Sequence, residues 1–256
     1  ESIDRLINEN RGFNSFPKYG YCLIMAGGPG RGKSTLIKER LPIDGKIFSV
    51  DDLTEKFASL PYIKKKDIKH NDMKKKLRKS EEVFLSAQGD IKNNIIFDIC
   101  GSPKGRGGTW SEIEEIVSMV KPLGYKIGII WVATNRSVQI KRNLSRKRTV
   151  SDATLHDKTN GVNKFLPMFL TSKRSMDIDD AWIVFSSGAN LHDNNIPEMI
   201  HLEKTENGFN LSDEQKTFLS NFLGPQEKET FKKPITYLAN SEVRRLEKEP
   251  TDFIRR

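Results

Sequence analysis

The sequence predicts an α/β fold, a parallel β-sheet flanked by helices, followed by a small and mainly helical C-terminal extension. Short apolar runs alternate with segments of helical periodicity, and the first run enters a helix through a glycine-rich turn. These runs place the predicted strands at residues 21–26, 46–50, 94–99, 125–132 and 181–185. Because proline and charged residues become frequent further on, we predict a main domain at residues 1–189 and the extension at residues 190–256.

Two helices are marked by capping boxes. Ser111 is followed three residues later by Glu114, and Ser212 by Gln215, which is the pattern of a helix N-terminus. The first of these helices is predicted over residues 111–121. Its apolar residues recur on one face, which would therefore pack on the sheet.

Three further segments complete the predicted order. Residues 62–92 read as one or two lysine-rich helices, and residues 136–148 as a basic helix. Residues 150–175 are less regular, and we expect Pro167 to bend them.

The glycine-rich turn after the first strand carries the strongest functional signal. Residues 27–34 read Gly-Gly-Pro-Gly-Arg-Gly-Lys-Ser, which matches the phosphate-binding loop G-x-x-x-x-G-K-S. The glycines let main-chain N–H groups point at phosphate oxygens, and the helix that follows adds a positive dipole. Lys33 would reach the β- and γ-phosphates, and the Ser34 hydroxyl can hold Mg²⁺. The predicted ligands are ATP or GTP with Mg²⁺, and the predicted nucleotide-binding residues are Gly28, Pro29, Gly30, Arg31, Gly32, Lys33, Ser34 and Thr35.

Two aspartates, Asp51 and Asp52, end the second predicted strand. Ligands of open parallel sheets lie beyond the carboxyl ends of the strands. We expect the ends of the first and second strands to be neighbours, which would place this pair beside the phosphate loop. Asp52 begins a capping-box pattern and has a structural explanation. Asp51 is then the predicted general base, which would accept the proton of an attacking hydroxyl group. The alternative is that both residues only cap a helix and turn the chain.

The third predicted strand brings Asp98 to the same edge. An apolar strand that ends in aspartate resembles a Walker B element, so we predict that Asp98 and Ser34 support Mg²⁺. Hydrolysing motors usually place glutamate next, whereas this chain has Ile99, which favours transfer to an acceptor. The basic, glycine-rich residues 101–108 either clasp an acidic acceptor or form a surface loop.

The basic helix after the fourth strand supplies candidate lid arginines. Arg142 and Arg146 are four residues apart and therefore share one helix face. Guanidinium groups on a lid stabilise the charge of a transferring phosphoryl group, so we predict that both act in catalysis together with Lys33. The alternative is a solvated basic helix.

Composition narrows the class of partner. The formal net charge is +9, and residues 64–79 are rich in lysine and arginine, so we expect an anionic partner. This run either follows a nucleic-acid backbone or is only a solvated face.

We expect no membrane span and no signal peptide, because no apolar run approaches about 18 residues. Both cysteines lie at apolar runs, which predicts a cytoplasmic protein with reduced thiols.

In the order of these motifs, the chain resembles the branch of P-loop kinases that holds polynucleotide 5′-kinases and zeta-toxin-type kinases. The resemblance runs from about residue 21 to residue 170. It is carried by the phosphate loop, by the Asp51-Asp52 pair, and by Trp131-Val132 followed by the basic segment 141–146.

The resemblance implies a P-loop kinase fold with ATP and Mg²⁺ at Lys33 and Ser34. It implies Asp51 as the general base, and Arg142 and Arg146 as lid arginines. The chain departs from polynucleotide kinases where these tend to carry arginine shortly after the aspartate pair, since it has threonine at position 54.

These observations leave three functions open. The first is a kinase that transfers the γ-phosphoryl group to a hydroxyl of a nucleic acid, at a 5′ end or on a hydroxylated modified base. The second applies the same chemistry to a nucleotide-sugar, as in zeta-type toxins. The third is a nucleotide-binding scaffold that holds nucleic acid on its basic surface without phosphoryl transfer.

Overall fold

A computed structural model describes residues 16–50, 72, 75–76, 81–89, 91–104, 110–145, 150–186 and 198–224. All of them belong to one unit, Glu1–Gly224, and a second unit, Pro225–Arg256, lies outside the described residues. The strands are β1 (Tyr21–Ala26), β2 (Lys46–Ser49), β3 (Ile95–Ile99), β4 (Pro103–Lys104), β5 (Trp110–Ser111), β6 (Lys126–Ala133), β7 (Asp180–Phe185), β8 (Glu198–Leu202), β9 (Lys204–Thr205) and β10 (Gly208–Phe209).

The main sheet has six strands in the order β2-β3-β1-β6-β7-β8. Because β3 lies between β1 and β2, the expectation that the first two strands are neighbours is wrong. The first five run parallel to one another, and β8 pairs antiparallel with β7. All five predicted strands are present, and no end differs from the prediction by more than one residue. The predicted α/β class is therefore confirmed.

Both faces of the sheet are buried along β1, β6 and β7, which explains why these strands are apolar runs and not alternating ones. Every residue of β1 is buried. Because successive side chains of a strand point to opposite faces, Cys22 and Ile24 belong to one apolar cluster and Leu23 and Met25 to the other.

The helices are α1 (Lys33–Glu39), α2 (Glu81–Ser86), α3 (Glu112–Val120), α4 (Arg136–Leu144), α5 (Asp152–Leu170) and α6 (Asp213–Leu223). Both predicted capping boxes are present, at Ser111 for α3 and at Ser212 for α6. Among the described residues, no helix is both long enough and apolar enough to cross a bilayer.

The expectation of an irregular, bent segment around Pro167 is wrong. Residues 152–170 form one continuous helix of 19 residues, capped by the Ser151 side chain. Pro167 lies in the last turn, where its missing N–H removes a single hydrogen bond. Buried side chains at helical spacing, including Val162 and Phe165, hold α5 against the sheet.

The sheet extends beyond residue 189. Strand β8 adds an antiparallel edge to it, and Leu219 and Leu223 of α6 join the same apolar cluster as β1. Residues 198–224 therefore share the core of the main sheet and contribute strands as well as a helix.

Candidate nucleotide-binding site

The phosphate loop lies at the carboxyl edge of the main sheet. It connects β1 to α1, and the Gly27 N–H donates a hydrogen bond to the Cys100 carbonyl, 3.1 Å away. The register pairs Met25 of β1 with Asp98 of β3. The sheet therefore brings Asp98 next to the loop, as the order of motifs predicted.

Three of the predicted site residues meet at this edge. The Ser34 hydroxyl donates to Asp98 Oδ2 at 3.0 Å, and Lys33 Nζ lies 3.5 Å from Asp98 Oδ1. Lys33 also donates to the Gly27 carbonyl at 2.7 Å, so the ammonium group lies over the loop. Because Ser34 is exposed and Lys33 and Asp98 are partly so, a ligand can reach all three.

Left-handed glycines shape the loop. Gly30 and Gly32 have φ angles of 75° and 86°, a conformation that favours glycine. Gly32 begins α1 without a side-chain cap. Among the described residues, none accepts a hydrogen bond from the main-chain N–H of Gly30, Arg31 or Gly32. These donors fit the oxygens of a phosphate group.

The side chain of Arg31 points into the protein, away from solvent. Its exposed fraction is 0%, and its guanidinium donates to the Val132 carbonyl at 3.2 Å and to Asn163 Oδ1 at 2.5 Å. Burial lowers the pKa of Arg31 to about 10, and the nearby Cys100 opposes the shift. Arg31 therefore stays cationic at neutral pH.

Two polar residues that the sequence analysis missed support the loop. Gln139 of α4 donates to the Pro29 carbonyl at 2.5 Å and accepts from Thr159 of α5 at 3.1 Å. A Cβ on Gly28 would lie 3.1 Å from Gln139 Nε2 and 3.3 Å from Thr159 Oγ1, so this glycine permits a close approach. Thr159 and Asn163 are four residues apart on α5 and therefore share one face of that helix. Had α5 been predicted as a helix, this spacing would have pointed to both residues.

The side chain of Arg142 contacts the main chain of the loop. Its guanidinium donates to Ser186 Oγ at 2.8 Å and to the Arg31 carbonyl at 3.4 Å, and the residue is buried. It thus joins α4 to the loop and to the end of β7. Asp51 and Arg146 lie outside the described residues, and their roles remain predictions.

The residues present fit a magnesium ion. The Ser34 hydroxyl and the Asp98 carboxylate are adjacent hard oxygen ligands, which Mg²⁺ prefers. No group of three or more His, Cys, Asp or Glu side chains suited to a metal occurs in the described part of the chain. At nucleotide sites, Mg²⁺ is usually bound by one or two protein oxygens together with phosphate oxygens and water.

Comparisons with known proteins identify the fold. No protein-family model and no curated protein sequence matches the chain. The native AvrRxo1-ORF1:-ORF2 complex is similar with a TM-score of 0.58 and 12% identity, over 82% of this chain and 66% of that one. The same complex with ATP gives a TM-score of 0.57 and 13% identity, over 89% and 70%. The chain thus spans about two thirds of the length of these neighbours and shares their fold, a mostly parallel β-sheet flanked by helices.

Proposed function

We propose that this protein is a phosphotransferase that binds a nucleoside triphosphate at residues 27–35 and transfers its terminal phosphoryl group to a hydroxyl acceptor. The observation that carries this proposal is the meeting of the Lys33 ammonium, the Ser34 hydroxyl and the Asp98 carboxylate beside a glycine-rich loop. The neighbour that was solved with ATP supports a triphosphate at the loop.

Transfer is favoured over hydrolysis by the residue after Asp98. Ile99 is 7% exposed and packs in the apolar core, so this position supplies no carboxylate to activate water.

In the proposed step, the bond between the γ-phosphorus and the bridging oxygen breaks, and a new bond to the acceptor oxygen forms. The acceptor proton passes to a base, for which we propose Asp51.

The protein's own groups would stabilise the phosphates during this step. Lys33 and the loop N–H groups balance negative charge on the β- and γ-phosphates. Ser34 and Asp98 would hold Mg²⁺, which when bound neutralises part of the phosphate charge. We propose that Arg142, with Arg146, adds positive charge from the lid side.

We propose a nucleic-acid hydroxyl as the acceptor, at a 5′ end or on a hydroxylated modified base. The net charge of +9 and the basic segment 64–79 support an anionic polymer. The threonine at position 54, where polynucleotide kinases tend to carry arginine, favours a nucleotide-sugar as the second candidate acceptor.

The test is transfer of label from γ-labelled ATP, with Mg²⁺, to a panel of acceptors. The panel holds a 5′-hydroxyl oligonucleotide, an oligonucleotide with a hydroxylated base, and several nucleotide-sugars, and Lys33→Ala serves as the inactive control. Label on an oligonucleotide supports the proposal. Label only on a nucleotide-sugar keeps the chemistry and replaces the acceptor. ATP binding with no label on any acceptor would contradict a kinase and favour the scaffold.

A further inference from the structure

We propose that the Arg31 guanidinium is a buried, uncompensated positive charge that strengthens phosphate binding by the loop, and that Asn163 preserves this charge because it is an amide. The inference deepens the proposed function and rests on triphosphate binding at the loop. It assigns to Arg31 and Asn163 an electrostatic role in ligand affinity, beyond the local hydrogen bonds that they make.

The first observation is that both partners of this cation are neutral. Arg31 is fully buried, and among the described residues its guanidinium bonds only to the Val132 carbonyl and to Asn163 Oδ1. In the part of the chain that the structure describes, no carboxylate pairs with it, and Arg31 Nε has no hydrogen-bond partner. A cation removed from water is normally paired with an acid, because its desolvation is costly.

The second observation is the position of this charge against the loop glycines. A Cβ on Gly27 would lie 3.3 Å from Arg31 Cδ, and a Cβ on Gly28 would lie 3.4 Å from Arg31 Nε. The side chain therefore curls back against the segment whose N–H groups would surround the phosphates. Since protein and not water fills this space, the attraction to a bound polyphosphate is weakly screened.

The residue type agrees with this role. The pKa of Arg31 falls only to about 10, so the charge persists at neutral pH, whereas a lysine can lose its proton when it is buried. A role limited to holding α5 and β6 together would be served at least as well by an acid at position 163. An acid there would keep the hydrogen bond and pair with the buried charge.

Asn163→Asp separates these two roles, because it changes charge with little change in shape. The new carboxylate would occupy the position of Asn163 Oδ1 and neutralise Arg31. The matched control is Asn160→Asp, which adds the same charge one turn earlier on α5, where the Asn160 side chain contacts His156 and not the loop.

The experiment is calorimetric titration of the full chain with ATP, ADP and adenosine, at low and high salt, together with thermal melting. We expect Asn163→Asp to weaken ATP binding by about tenfold, to weaken ADP binding less, and to leave adenosine binding and the melting temperature unchanged or higher. We expect Asn160→Asp to bind ATP like the parent. Arg31→Gln, which removes the charge and keeps an amide donor, should also weaken ATP binding by about tenfold.

Parental ATP affinity in Asn163→Asp, or in Arg31→Gln if the first variant does not fold, would overturn the inference and leave Arg31 as a clamp. An equal loss in Asn160→Asp would also overturn it, because any acid on α5 would then suffice. If the parent binds no triphosphate, this inference and the proposed function both fall. If ATP binding depends on position 163 but no acceptor is labelled, only the proposed function falls.

Discussion

The parallel strands of the main sheet end at a carboxyl edge and begin at an amino edge. Each of these two edges holds an aspartate that contacts a hydroxyl group and a basic group. At the carboxyl edge, Asp98 contacts the Ser34 hydroxyl at 3.0 Å and Lys33 at 3.5 Å. At the amino edge, Asp180 accepts from the Tyr21 hydroxyl at 3.0 Å and lies 3.8 Å from His201 Nε2. The local chemistry is similar, and the difference lies in what surrounds each acid.

The surroundings of Asp180 fix its partners in place. Tyr21 is 1% exposed, and its ring packs edge-on against Phe16. The Trp182 ring lies tilted against both Phe16 and His201. Burial and the charge of Asp180 raise the pKa of Tyr21, which keeps the phenol as a neutral donor. His201 and the Tyr21 hydroxyl together hold the pKa of Asp180 below its usual range.

Asp98, in contrast, contacts side chains that belong to the phosphate loop. Lys33 and Ser34 are accessible, and the neighbouring loop N–H groups have no acceptor among the described residues. Its partners can therefore exchange for a ligand. The difference between the two aspartates teaches that a carboxylate in contact with a hydroxyl group and a cation becomes a binding site only where adjacent main-chain N–H groups are also free to bind a ligand. Variants at the carboxyl edge should change activity, and variants at the amino edge should change stability.

The largest effect is expected for Asp51→Asn, which removes the proposed base. Without a base for the acceptor proton, phosphoryl transfer should fall by about 10²–10⁴-fold while ATP affinity is kept. Single-turnover transfer and calorimetric ATP binding measure the two quantities. Asp52→Asn is the control, and an equal loss in that variant would show that the other aspartate is the base.

Lys33→Ala should lower turnover by about 10²–10³-fold, because the charge on the β- and γ-phosphates loses its partner. The melting temperature should change little, since Lys33 is partly exposed. Lys38→Ala, on the exposed side of the same helix α1, is the matched control and should keep full activity. Parental turnover in Lys33→Ala would remove the loop from the catalytic proposal.

At the amino edge, Tyr21→Phe and Asp180→Asn should each lower the free energy of unfolding by about 1 kcal/mol. ATP turnover should not change, because both residues lie at the opposite end of the sheet. Urea denaturation measures stability, and the double variant should lose less than the sum of the singles, since the two residues share one hydrogen bond. Additive losses would show that the pair does not act as a unit.

The smallest effect is a pH dependence of that stability. Because the folded pKa of Asp180 is lowered, its contribution is present above the unfolded value of about 3.9 and is lost as pH falls through the folded pKa. The stability difference between the parent and Asp180→Asn should therefore shrink below about pH 4. Urea denaturation at several acidic pH values measures it, and a difference that grows on acidification would mean a raised pKa.

Local patterns explain how much of the fold could be predicted. The five predicted strands are short, mainly apolar runs, and the capping boxes at Ser111 and Ser212 need only residues three apart. Helix α5 was not predicted, because Pro167 and buried polar residues such as Thr159 and Asn163 interrupt its apolar pattern. Its helical state depends on packing against the sheet, which a local pattern does not contain.

The sequence by itself determined the phosphate loop, its Lys33 and Ser34, and the strand that ends near Asp98, because motif spacing and hydrophobic periodicity act over a few residues. Only the tertiary structure decided which groups surround the loop. The bond from Arg31 to Asn163 spans 132 residues of chain, and that from Gln139 to Pro29 spans 110. Such contacts follow from the order of the strands and the packing of α4 and α5. The composition of the loop therefore could not reveal that its own arginine would be buried with no acid paired to it among the residues that the structure describes.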